Sequence, residues 1–153
     1  MRHDRRTFLK TSASFGTVVV FAGMDLLPIR AAAAGKTAFD AQTMDDVVKA
    51  LGGAKATESA AIQLKVPSIA ENGAVVPVEA TSELPKTEYM AILVEKNPRA
   101  LSASFTFPAG TEPFISTRVK VGETSDLIVL VKTDKGFFYT KKLVKVTLGG
   151  CGG

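Results

Sequence analysis

Leu127-Ile128-Val129-Leu130-Val131-Lys132-Thr133-Asp134-Lys135-Gly136-Phe137-Phe138-Tyr139-Thr140 is a pair of apolar, β-prone runs joined by a turn. Asp, Lys and Gly near its tip allow the positive backbone angles that a tight hairpin needs. The flanking runs predict strands over Leu127–Thr133 and Phe137–Leu148. Upstream, a period of two recurs. A strand is expected over Phe114–Val121, ended by Gly122-Glu123. Leu101, Ala103, Phe105 and Phe107 alternate with polar residues until Pro108-Ala109-Gly110 breaks them. Before these come Tyr89–Glu95 with the turn Lys96-Asn97-Pro98-Arg99, then Val76, Val78 and Ala80, and then Ile62, Leu64 and Val66, stopped by Pro67 ahead of the turn Glu71-Asn72-Gly73.

Seven short strands at intervals of roughly 10 to 15 residues predict an all-β fold, an immunoglobulin-like antiparallel β-sandwich. The cysteines that mark antibody domains are absent. Phe105, Phe107, Phe114, Ile128, Leu130, Phe138, Leu143 and Val146 are the expected contributors to a core between two sheets. One short N-terminal helix is predicted over Phe39–Leu51. Met44, Val47, Val48 and Leu51 recur at helical spacing, Thr43 with Asp46 imitates a capping box, and Gly52-Gly53 supplies a stop. Such a helix either closes one end of its own core or docks a partner.

The first 34 residues read differently. Met1-Arg2-His3-Asp4-Arg5-Arg6-Thr7-Phe8-Leu9-Lys10 is followed by an apolar run from Thr11 to Met24 and by Ala31-Ala32-Ala33-Ala34. A charged opening, a short apolar stretch and an Ala-x-Ala site make an export signal. The apolar run of about 14 residues falls short of the roughly 20 that span a bilayer. Arg5-Arg6 followed by Thr-Phe-Leu-Lys fits the twin-arginine type, an address for folded cargo and hence for the periplasm. The expected organisation is a leader at 1–34, a β-sandwich domain with its helix at 35–148, and a terminal arm at 149–153.

Removing the leader changes what the charge means. The whole chain carries +4, but five of its 19 basic residues and two of its 15 acidic ones lie in the leader, so 14 face 13 afterwards and the balance falls to +1. The case for a nucleic-acid or anionic-membrane partner goes with it. His3, the single histidine, leaves as well. The exported chain then lacks the commonest general base and the usual activator of a nucleophilic Ser or Cys. One cysteine makes no internal disulfide, and with so few soft ligands no tetrahedral zinc site is available. Neither a dinucleotide-binding glycine motif after a strand nor a phosphate-binding loop occurs.

That cysteine is Cys151, in Gly149-Gly150-Cys151-Gly152-Gly153. Four glycines bury no apolar surface and so cannot offset the entropy of ordering the segment, which makes it a flexible arm by composition. No Lys, Arg or His stands within two residues of the sulfur to lower its pKa. A thiol on a bare arm is suited to covalent attachment by chemistry that other proteins drive. Two other classes stay open: a structural module cross-linked through an intermolecular disulfide at Cys151, and a thiol oxidoreductase, which would normally show a resolving cysteine.

The leader Arg5-Arg6-Thr7-Phe8-Leu9-Lys10, the sandwich, the turns Ile69-Ala70-Glu71-Asn72-Gly73 and Lys96-Asn97-Pro98, and the terminus Lys145-Val146-Thr147-Leu148-Gly149-Gly150-Cys151-Gly152-Gly153 together resemble SoxY. That family comprises the sulfur-carrier subunits of the periplasmic thiosulfate-oxidising system. The resemblance implies that Cys151 bears the substrate and that Gly149, Gly150, Gly152 and Gly153 form a swinging arm. It further implies a heterodimer with SoxZ, and transient contacts with the SoxAX cytochrome, the SoxB hydrolase and, where present, SoxCD. Under it the chain is a carrier without catalytic residues, metal or cofactor of its own.

Overall fold

Thr43 decides where the chain first becomes regular. A computed structural model of the protein describes residues 37–147; the leader with Arg5 and Arg6, and the arm with Cys151, lie outside the described residues. Within that range the predicted helix divides. Ala38–Asp40 forms a single 3-10 turn, and helix α1 runs over Met44–Ala50, shorter than the 39–51 expected. Thr43 Oγ1 accepts from the Asp46 amide at 3.2 Å and donates to the Asp46 carboxylate at 2.8 Å, so the helix starts where the cap satisfies its orphan N–H groups. It ends on a Schellman pair, with the Gly53 amide donating to Val48 O and the Gly52 amide to Lys49 O.

Nine strands follow: β1 (Ala56–Glu58), β2 (Ile62–Lys65), β3 (Ile69–Ala70), β4 (Val76–Ser82), β5 (Thr87–Val94), β6 (Leu101–Thr106), β7 (Phe114–Val119), β8 (Ser125–Thr133) and β9 (Gly136–Val146). The seven expected strands are all present. β1 and β3 are additional, with three and two residues, too short to carry a period of two. Both pair parallel to β9, whereas the other pairings are antiparallel. The large sheet has the order β1-β9-β8-β5-β6, with β3 also on β9, and the small sheet the order β2-β4-β7. The β8–β9 hairpin closes on Thr133 opposite Gly136, and of its turn residues only Gly136 takes a positive φ, +126°.

Two apolar layers hold these pieces. Between the sheets lie Ile62, Leu64, Val76, Val78 and Ala80 from one side and Met90, Ile92, Val94, Leu127, Val129, Val131 and Val144 from the other. The outer face of the large sheet carries Ala91, Leu93, Ile128, Leu130 and Phe137, covered by Val47 and Val48 of α1. Those two valines are fully buried, each contributing roughly 1.5–3 kcal/mol. Of the two readings left open for the helix, it closes its own core.

Four expected core residues sit elsewhere. Ile128 and Leu130 are buried, but against α1 and not between the sheets. Phe114 and Leu143 are 48% and 51% exposed. In β7 the inward parity belongs to Ile115 and Val119, and in β9 to Val144, so the residues one position earlier face out. Phe105, Phe107, Phe138 and Val146 do pack against the inter-sheet core.

Candidate functional site

β9 is the strand that delivers the chain to the cysteine-bearing segment, so its last residues set where that segment starts. Lys145 and Thr147 donate their amides to Ser68 O and Ala70 O at 2.9 and 3.1 Å, the parallel ladder with β3. Between them the Val146 amide donates to Thr124 Oγ1 at 3.0 Å, on the side away from β3. The strand end is thus tied on both edges up to Thr147, and the Val146 side chain packs inward. Cys151 stands four residues beyond Thr147.

Gly73 fits beneath this end. A Cβ there would lie 2.4 Å from Val121 O and 3.0 Å from Val146 Cγ1, a space no side chain can share. The Val121 amide donates to Gly73 O at 2.7 Å, and Asn72 Oδ1 accepts from the Ala74 amide at 2.9 Å, which fixes the turn. The turn at Lys96-Asn97-Pro98 joins the same neighbourhood. Asn97 donates through Nδ2 to Lys120 O at 2.8 Å and accepts at Oδ1 from the Gly122 amide at 3.1 Å. Both turns therefore brace the end of the sandwich from which the arm departs. From the sequence, Asn72, Gly73 and Asn97 are legible only as turn formers; Thr124 carries no signal, since a lone threonine hydroxyl in a loop is commonplace.

No cluster of three or more His, Cys, Asp or Glu side chains is placed to hold a metal ion among the described residues. Ion pairs near the strands lie at the surface, with Asp126 half-buried: Lys86 with Asp134 at 2.7 Å, Lys141 with Asp126 at 3.1 Å, and Arg99 with Asp40 at 3.7 Å. Hydrogen bonding to Asp134 raises the Lys86 pKa, and the same bond lowers that of Asp134. Hydrogen bonding to Asp126 likewise raises Lys141. These shifts come from surface pairing, not from a site poised for proton transfer. No described helix is long and apolar enough to cross a membrane.

Cys151, Gly149, Gly150, Gly152 and Gly153, predicted as the site, lie beyond the described residues, as do Arg5 and Arg6. What the fold supplies is their base. A comparison with curated protein sequences returns no match. Among solved structures, the chain is similar to the sulfur carrier protein SoxY from Chlorobium limicola f thiosulfatophilum, with 33% identity, a TM-score of 0.59, and coverage of 67% of this chain and 96% of that one. It also resembles superoxide reductase (neelaredoxin) from Ignicoccus hospitalis and a point variant of that enzyme, at 14% and 15% identity and a TM-score of 0.50. These cover 56% and 61% of this chain and 80% and 82% of theirs, a likeness of fold alone. The family model for the sulfur oxidation protein SoxY matches residues 47–151. That match begins in the helix on the outer face, runs through both sheets and ends on the cysteine of the arm: the chain belongs to the SoxY family.

Proposed function

We propose that this chain is a non-catalytic carrier that holds sulfur-oxidation intermediates covalently on Cys151 and presents them to partner enzymes. The observation that carries the reading is a family match extending through Cys151, which stands four residues beyond the hydrogen-bonded Thr147 at the end of β9. A fixed base and a side-chain-free tether suit a thiol that must enter other proteins' active sites.

The chemistry balances on one sulfur. The Cys151 thiolate bonds to the outer sulfur of thiosulfate, giving Cys–S–S–SO3⁻, and two electrons leave to an oxidant, the haem cytochrome SoxAX. Water then cleaves the terminal S–S bond in SoxB, giving a persulfide, Cys–S–SH, and hydrogen sulfate. The persulfide is oxidised further by SoxCD where that enzyme is present, or passed on. Both adducts are reversible thiol caps. Catalytic groups and cofactors belong to these partners, and SoxZ completes a heterodimer. Residues 1–34, with Arg5 and Arg6, act as a twin-arginine leader that takes the folded chain to the periplasm and is then removed.

Intact-mass spectrometry of the protein from thiosulfate-grown cells tests the reading. Adducts of sulfur or sulfonate units on Cys151, removable by reductant, are expected; a population made up only of disulfide-linked dimers overturns it. Cys151→Ser should abolish thiosulfate turnover by the reconstituted system and leave the fold intact.

A further inference from the structure

The sequence has two asparagines, and the fold treats their side chains in opposite ways. Asn97 is engaged at both ends of its amide, with Nδ2 donating to Lys120 O and Oδ1 accepting from the Gly122 amide. The residue after it, Pro98, has no backbone N–H. Asn72 is exposed, and the residue after it is glycine. Its Oδ1 accepts from the Ala74 amide at 2.9 Å, while its Nδ2 makes no hydrogen bond among the described residues. The Gly73 N–H has no acceptor among them either.

We propose that Asn72 is a site of spontaneous covalent modification: it cyclises onto the Gly73 nitrogen to a succinimide that opens to aspartate or isoaspartate, and the isoaspartyl form frees the end of β9. Nothing in this step involves Cys151. The Gly73 N–H gives up its proton to solvent base, its nitrogen bonds to Asn72 Cγ, and the Cγ–Nδ2 bond breaks with release of ammonia. Water then opens the five-membered imide at either carbonyl. Nothing is oxidised or reduced.

The turn favours each part of this. The bond from Ala74 N–H to Oδ1 closes a ring of chain that contains the Gly73 nitrogen, so attacking atom and target are held together, and it polarises the carbonyl under attack. Glycine brings no side chain to hinder the approach. The leaving nitrogen is solvent-exposed and unbonded, so its departure breaks no contact. Nor can the fold replace the glycine, since a Cβ there would collide with Val121 O and crowd Val146. The residue that β9 needs at its base is the one that makes Asn72 labile.

The two products differ in what they do to that base. Aspartate keeps the main chain and still accepts from the Ala74 amide, with a charged oxygen. Isoaspartate lengthens the main chain by one carbon ahead of Gly73 and takes the carbonyl that accepts from the Val75 amide out of the chain. Gly73 O accepts from the Val121 amide at 2.7 Å and the residue lies against Val146, whose neighbours Lys145 and Thr147 bond to Ser68 and Ala70. A displaced Gly73 therefore loosens those bonds.

To test this, the folded, purified protein is held at mildly alkaline pH in heavy-oxygen water and mapped by mass spectrometry. Isoaspartate is counted by enzymatic methylation from labelled S-adenosylmethionine. Residue 72 should become an acid carrying heavy oxygen, with isoaspartate among the products, and faster as pH rises because attack needs the Gly73 N–H ionised. Asn97 should stay unchanged. Asn72→Ser, whose hydroxyl can still accept from the Ala74 amide, should show no gain at 72. In the chromatographically separated isoaspartyl form, amide hydrogen exchange at Lys145 and Thr147 should be about fivefold faster, the worth of one hydrogen bond, with Leu130 unaffected and the aspartyl form like the parent. Modification of Asn72 only after unfolding in urea overturns the proposal, because the turn would then protect its asparagine. So does an isoaspartyl form whose exchange at Lys145 and Thr147 matches that of the parent.

Discussion

The middle of the large sheet and the end of β9 are held by different forces. In β5, Met90 to Val94 are fully buried in succession, and in β8 Leu127 to Val131 are almost equally so, because one face meets the small sheet and the other meets α1. Stability there is a matter of apolar volume on two sides. At the end of β9 the side chains alternate, Lys145 and Thr147 are exposed, and position is held by amide bonds to Ser68, Thr124 and Ala70 and by the lack of a Cβ at Gly73. Apolar burial is non-directional, while a hydrogen bond constrains both distance and angle, and a Cβ at Gly73 would have no room. The second arrangement fixes the position of the last described residues of the chain, and the first supplies the stability of the sandwich.

The contrast can be broken most strongly from the middle. Leu130→Ala leaves a cavity between sheet and helix and should cost about 2–5 kcal/mol in chemical denaturation. It should not change hydrogen-exchange protection of Val146 and Thr147 beyond the global loss. Gly73→Ala reverses the pattern. Its methyl group meets Val121 O and Val146, so a loss of roughly 1–3 kcal/mol is expected, with exchange at Lys145, Val146 and Thr147 accelerated more than at Leu130. Equal acceleration at both places would mean that the two regions are one unit.

Thr124→Val is the finer cut, since it keeps the shape and deprives the Val146 amide of its acceptor. A loss of about 1 kcal/mol is expected, with enhanced exchange concentrated at that amide. The smallest effect belongs to the hairpin tip. Because Lys86 lowers the Asp134 pKa, the ionised carboxylate favours the folded state above the ordinary carboxylate range, and this contribution disappears as pH falls through that range. Because Asp134 raises the Lys86 pKa, it also disappears as pH rises past the ordinary lysine range. Asp134→Asn should therefore lower the Tm slightly near neutrality and not at all in acid; a difference that grows in acid would contradict the pairing.

Much of the fold is legible in the order of residues alone. Seven strand positions follow from alternation and turn residues, and Thr43 with Asp46 marks a helix start. What alternation leaves undecided is which parity faces inward. Phe114 and Leu143 have the volume of core residues, yet their strands turn Ile115, Val119 and Val144 inward. Runs such as Leu127–Val131 hide the question altogether, since every position is apolar and each face must find its own cover; Ile128 and Leu130 pack under the helix. β1 and β3 are too short to show a period, and their existence depends on β9 offering its edge.

By itself the sequence determined the chemistry: a single thiol, at Cys151, with glycines beside it and no histidine after residue 3. Those are facts of composition and order that no folding can alter. The tertiary structure decided how the strand that leads to that thiol is held. Gly73, Asn97, Val121 and Thr124 are spread over some fifty residues of chain, and only the closure of two sheets brings them under the end of β9. Contacts of this kind arise from register and sheet packing, which depend on all the strands at once, so no local pattern encodes them.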